Sequence, residues 1–174
     1  MVRTYDEIRK AAAKDVAEFM CVSARTAPKA KGADNLEIII LNKKDIQKVR
    51  EAMKKIGKEK NAGGMKRDAE NIKDTDHVVL IGTKKKPMGL NCGFCEYSTC
   101  RELEKKGGIC SHNSLDLGIA LGSASALAAN FHIDNRLMYS IGKAAIKCGI
   151  LSKKIVMAIG IPLSATGKNP FFDR

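Results

Sequence analysis

The sequence contains no tryptophan, and aromatic residues make up only 5% of it. A core of Ile, Val, Leu, Ala and Met follows, and a hydrophobic share of 44% is ample for an ordinary one. Long apolar runs are also missing. No segment reaches the roughly 18 apolar residues that span a bilayer. The nearest, Leu115 to Ile133, is interrupted by Asp116, Asn130 and His132 and reads as a buried helix. The opening MVRTYDEIRK carries charges where a secretory signal needs an apolar stretch, so no signal and no membrane partner are expected. Nucleic-acid motifs and basic clusters paired with aromatics are absent too. The net charge of +12, with Asp and Glu interleaved among the lysines, therefore reads as a solvated surface ahead of a nucleic-acid surface.

What is present has a clear order. A length of 174 residues suits one domain over 1–174. Thr4 and Glu7 form a Thr-x-x-Glu capping box for a helix running to about Ser23, with Ile8, Ala12, Val16, Phe19 and Met20 at helical spacing. Pro28 disfavours helix in the residue before it and stops the run. Leu36 to Leu41 is short, apolar and β-branched, the signature of a buried strand. Asn42 caps a helix with Ile46, Val49, Met53 and Ile56 as its inner stripe, and Gly63-Gly64 breaks the chain before a short helix from Met65 to Ile72. His77 to Ile81 is a second strand. Thr83 to Gly108 is mostly loop. Asn113 is expected to cap a long helix whose Gly118, Gly122 and Ala126 give a smooth face for a neighbouring helix or subunit. A helix from Arg136 to Cys148 closes at Gly149. Ile155 to Ile161 is a third strand, ended by Pro162. Strands alternating with helices imply a layered α/β or α+β fold, with a cysteine-rich insertion at 83–112.

Six cysteines in a chain without a signal argue for metal binding or redox chemistry rather than disulfides, and so for a cytoplasmic protein. Cys92, Cys95, Cys100 and Cys110 follow the spacing C-x2-C-x4-C-x9-C. A C-x2-C turn points both sulfurs inward, and Gly93 relieves its backbone. Gly107 and Gly108 let the chain fold back and deliver the last sulfur. Such thiolates suit tetrahedral zinc or an iron–sulfur cluster. Structural zinc more often uses paired C-x-x-C knuckles, so the spacing favours a cluster, in its four-iron form, over zinc and over unliganded thiols. Lys84, Lys85 and Lys86 before the loop, and Lys105 and Lys106 within it, favour the reduced state of an anionic cluster or dock an acidic redox partner; plain solvated lysines are at least as ready an explanation. Cys21 and Cys148 read as core residues, and His112 as a hydrogen-bonded loop histidine ahead of a substitute ligand.

The segments Asn91 to Cys110, Ser114 to Ala124, Ser23 to Gly32 and Ala165 to Arg174 together resemble the ferredoxin-domain-containing proteins of the nitroreductase-like superfamily. The resemblance covers nearly the whole chain. It implies a mostly antiparallel sheet flanked by helices, an intertwined homodimer with the long helix from Ser114 at its centre, and FMN at the subunit interface. The Arg-Arg-Ser-x-Arg run with which nitroreductases grip flavin is not here; basic residues remain at Arg25, Lys29, Lys31, Lys168 and Arg174, of which Arg25, Lys29, Lys168 and Arg174 are the candidates to hold its phosphate, with plain surface charge or a dimer salt bridge as the alternative. Three functions follow as expectations. The first is a flavin-dependent oxidoreductase-like homodimer passing electrons between a four-iron cluster and FMN. The second is an electron-carrier or redox-sensing module without flavin, and the third a zinc-stapled interaction protein. No residue stands out as a general acid or base.

Overall fold

The computed structural model describes residues 2–172. Its elements, in chain order, are helix α1 (Tyr5–Thr26), strand β1 (Leu36–Leu41), helices α2 (Lys43–Glu59) and α3 (Gly63–Asn71), strand β2 (Val78–Lys84), helices α4 (Cys100–Lys106) and α5 (Ser111–Asn130), strand β3 (Asp134–Asn135), helix α6 (Tyr139–Lys147) and strand β4 (Ile155–Ser164). The strands form one antiparallel sheet in the order β1-β2-β4-β3. Central β2 is flanked on both edges and covered on both faces, which explains its unbroken run of buried apolar residues. Val78 and Leu80 point into a core shared with α2, α3 and α6, whereas Val79 and Ile81 point into a second core shared with α1 and α5. The result is a helix–sheet–helix sandwich.

Local signals place the N-terminal half well. The Thr4–Glu7 capping box forms with both reciprocal bonds. Asn42 caps α2 by accepting from the Lys44 and Asp45 amides, and Ile46, Val49, Met53 and Ile56 are all buried. Each such side chain contributes about 1.5–3 kcal/mol by leaving water. The inner face of α1, however, is Ala13, Val16, Ala17, Met20 and Ala24; Ile8, Ala12 and Phe19 lie outside it. The small residues win because α1 packs against small residues of α5, among them Ala120 and Ala124, where a phenylalanine does not fit.

Other boundaries move for tertiary reasons. Gly63 and Gly64 begin α3 instead of breaking the chain before it. The expected helix from Arg136 starts at Tyr139, because Asp134–Asn135 pair with β4 and Met138 bridges to Gly160. Pro162 lies inside β4. Gly160 exchanges both of its backbone bonds with Met138, and Leu163 donates to His77 on the opposite side. By alternation the Pro162 nitrogen faces the gap between Met138 and β3, so its missing N–H removes no ladder bond. Gly142 is required by close approach: a Cβ there would stand 1.7 Å from the Ala158 carbonyl oxygen, so α6 lies directly on β4. Among the described residues no helix is long and apolar enough to cross a membrane.

Candidate functional site

The chain leaves β2 at Lys84, and the strap from Lys85 to Thr99 has no regular structure. Asn91, Gly93 and Glu96 take positive φ values of 48°, 77° and 64°, which curl it tightly. A helix missed by the sequence reading, α4, then opens at Cys100. Its signal was legible: Thr99 caps it, accepting from the Glu102 amide at 3.1 Å, in the same Thr-x-x-Glu pattern that opens α1. Gly107, at φ 69°, ends it. Cys110, not Asn113, is the N-cap residue of α5. The positive end of a 20-residue helix dipole therefore faces Cys110, where an anionic group is favoured.

Two ties draw the cysteine positions together. The Asn91 side-chain oxygen accepts from the Cys100 amide at 2.8 Å, and the Asn91 amide donates to Cys100 Sγ at 3.4 Å, linking Cys100 to the neighbour of Cys92. Ser111 Oγ donates to the Phe94 carbonyl at 3.0 Å, linking the neighbours of Cys110 and Cys95. The Phe94 ring lies beside that of His112, with centroids 5.8 Å apart. Cys110 is buried with Met88 and Leu103, and Cys95 and Tyr97 pack against this small core. Cys92 is exposed, and all of these thiols are free. The donor set suits a group ligated by thiolates at several irons, and an amide donor to sulfur is one of the means by which a protein tunes such a group. Around one tetrahedral zinc the sulfurs stand under about 4 Å apart. Among the described residues no three His, Cys, Asp or Glu side chains converge as a single ion requires.

The two remaining thiols differ. Burial pushes the Cys21 thiol up to about 11, which suits an inert packing residue. Cys148, expected in the core, is exposed, and its Sγ donates to the Lys48 carbonyl at 3.7 Å.

The basic residues expected to hold flavin do not converge within one protomer. Arg25 pairs with Asp34 and donates to the Leu36 carbonyl. Burial alone would raise the Asp34 carboxyl, but the Arg25 guanidinium and the Leu36 amide together hold it below the usual carboxylate range. Lys29 Nζ donates to the carbonyls of Ala24, Arg25 and Ala27, capping the C-terminal end of α1. Lys168 lies at the opposite end of that helix, where Tyr5 Oη donates to Ala165. A helix of 22 residues is roughly 33 Å long. Arg174 lies outside the described residues.

Near Lys168, a cavity of about 360 Å³ opens between α1, the turn after α3 and the segment following β4. Arg9, Asn71, Thr75, Ser164 and Thr166 line it. Asn71 Nδ2 is buried there without a hydrogen-bond partner. Sequence reasoning gave no hint of this cavity, because its walls come from distant segments.

Comparison with known proteins agrees with this frame. An uncharacterized protein of Archaeoglobus fulgidus is 39% identical over 186 aligned positions, spanning 100% of this chain and 98% of that protein. Residues 106–174 match the family described as uncharacterized protein containing a ferredoxin domain (DUF2148). The chain belongs to this ferredoxin-domain family. A nitroreductase family protein from Clostridium novyi NT superposes on it with a TM-score of 0.62 at 12% identity, over 92% of this chain and 77% of that one. A BluB-like flavoprotein from Clostridium difficile 630 gives 0.58 at 16%, over 88% and 84%. The ferredoxin-domain protein thus has the nitroreductase fold, the mixed helix and antiparallel-sheet architecture anticipated above.

Proposed function

We propose that this ferredoxin-domain protein is a cytoplasmic iron–sulfur redox protein, acting as a homodimer that passes electrons between a four-iron cluster and FMN. The observation that supports the reading is the free thiols of Cys92, Cys95, Cys100 and Cys110, with Asn91 bonded to Cys100 and Ser111 to the Phe94 carbonyl beside Cys95. Bound there, the cluster would supply one-electron storage. The chain's own residues hold the sulfurs, donate to Cys100 Sγ from Asn91, and keep Cys110 away from water.

The dimer is supported by the outer face of α5. Leu115 and Ile119 are exposed there, and a Cβ added at Gly118 or Gly122 would meet nothing within 4 Å. Phe19 and Phe131 stack on each other at the surface, centroids 6.4 Å apart. Exposed apolar side chains of this kind support an interface there. A second protomer is also the way to bring an Arg25–Lys29 end and a Lys168 end together over one phosphate. The cavity beside Lys168 lies within the usual size range of ligand sites, about 300–1,000 Å³.

Anaerobic purification with iron, sulfide and flavin quantification tests each part. About four irons and matching sulfide per chain are expected, together with FMN. Serine substitution at Cys92, Cys95, Cys100 or Cys110 removes the iron, whereas Cys21→Ser and Cys148→Ser retain it. Stoichiometric zinc without sulfide would overturn the cluster. Iron-loaded protein that neither contains nor takes up FMN would overturn the flavin half alone.

A further inference from the structure

The feature that the cysteine strap leaves unexplained is the ground beside it. β2 runs out into Lys84, Lys85 and Lys86. The Lys85 amide donates to the Lys154 carbonyl at 3.3 Å, which brings a fourth lysine alongside. With Asp34, Asn35 and Glu104 these lysines surround an open concavity of about 560 Å³. Like charges so close repel one another, and little here offsets them. Asp34 is taken up by Arg25, leaving Glu104 as the other lining carboxylate. Among the described residues none of the four lysines has an ion-pair partner within 4.0 Å.

The segment is held, not loose. Asn113, fully buried in the first turn of α5, donates to the carbonyls of Lys84 and Lys86 at 3.1 and 2.7 Å and accepts from Asn35 at 3.0 Å. Lys85 Nζ stands 3.3 Å from where a Cβ on Gly107 would be, so the concavity abuts the turn that leads to Cys110. The strap exposes Leu90 and Phe94, and Ile109 is exposed just before Cys110. An apolar centre with a cationic flank is thus presented at the cysteines. Lys85, Lys86 and Lys154 are exposed, so a small anion bound by them would stay largely hydrated and screened. A broad surface of opposite charge gains from the whole array at once.

We propose that this concavity docks a protein partner through an acidic surface, bringing an electron carrier against the cysteine strap. The partner's redox role rests on the cluster reading above; the docking itself requires only the folded lysine surface.

The test titrates the protein as purified with a plant-type ferredoxin of strongly negative charge, at ionic strengths of about 0.02 and about 0.5 M. Saturable binding at low salt, lost at high salt, is expected. Lys85→Glu/Lys86→Glu/Lys154→Glu should weaken it about ten-fold or more, with the corresponding Gln variant intermediate. Lys55→Glu/Lys58→Glu, on the exposed side of α2, should leave it unchanged. Circular dichroism checks that each variant is folded. Absence of binding, indifference to the three lysines, or equal weakening by the α2 pair overturns the proposal. So does a single-stranded oligonucleotide of matched charge that binds more tightly through the same lysines. Iron and sulfide assays on the same samples separate the two readings. Iron-free protein that still docks through these lysines sinks the cluster and not the surface; iron-loaded protein that does not dock sinks the surface alone.

Discussion

Replacing Asn113 tests the link between the lysine segment, the cysteine strap and the start of α5. The side chain has no solvent exposure and makes three hydrogen bonds, two donated to the Lys84 and Lys86 carbonyls and one accepted from Asn35. Each such bond nets about 0.5–1.5 kcal/mol, and a buried group left unpaired costs about 1–3 kcal/mol. The Lys86 carbonyl retains a second side-chain donor, Asn35 Nδ2 at 3.5 Å. Asn113→Ala should therefore destabilise the protein by about 2–4 kcal/mol. Asn113→Asp should be worse despite its shape, because it sets a carboxylate oxygen against two carbonyls. Asn35→Ala, which removes the bond to Asn113 and two longer contacts, to the Lys86 carbonyl at 3.5 Å and Met88 Sδ at 3.7 Å, should cost about 1 kcal/mol, and the two alanine changes should fall short of additivity. Urea midpoints at constant slope give the energies. Limited trypsin digestion reports locally: cleavage after Lys84 or Lys85 should accelerate in Asn113→Ala beyond what global stability explains, Pro87 protecting the bond after Lys86. A stability loss under about 0.5 kcal/mol with unchanged cleavage would show that Asn113 does not hold this segment.

Gly142→Ala should destabilise by more than about 3 kcal/mol even though alanine favours helix by about 1 kcal/mol, because the atoms its Cβ meets, the Ala158 carbonyl and the Ile159 amide, are backbone and cannot swing aside. A variant melting like the parent in calorimetry would refute the contact. Burial lowers the His77 pKa below its ordinary value, against the opposing pull of Asp76. The unfolded chain then binds the proton more readily, so this contribution to stability is complete above about pH 6.5 and is lost as pH falls through that value toward the folded pKa. His77→Gln should flatten the decline in urea stability between about pH 7.5 and about 5.5; an unchanged slope would assign the decline to other groups.

Strap and frame were unequally legible. The four clustered cysteines stand out as candidates from spacing and glycine placement, because a turn is a matter of a few residues. Asn91, Asn113 and Ser111 were not, since each acts on a backbone atom from nine to twenty-nine positions away. The flavin residues show the same limit. Arg25 and Lys168 look alike in sequence, yet one braces the C-terminal end of α1 and the other lies at its far end.

What the sequence determined alone was what its neighbours in the chain could settle. The Thr4 and Asn42 caps, the α2 stripe and the β1 run each depend on residues within a few positions, and all formed where the pattern placed them. Tertiary structure decided the choices that local patterns leave open. It turned Phe19 outward because α5 offered α1 small residues, kept Pro162 in a strand because no ladder bond reached its nitrogen, and exposed Cys148 at the end of α6. It also gathered four lysines into one concavity, since the antiparallel register of β2 and β4 sets Lys154 beside Lys85 across about seventy residues of chain.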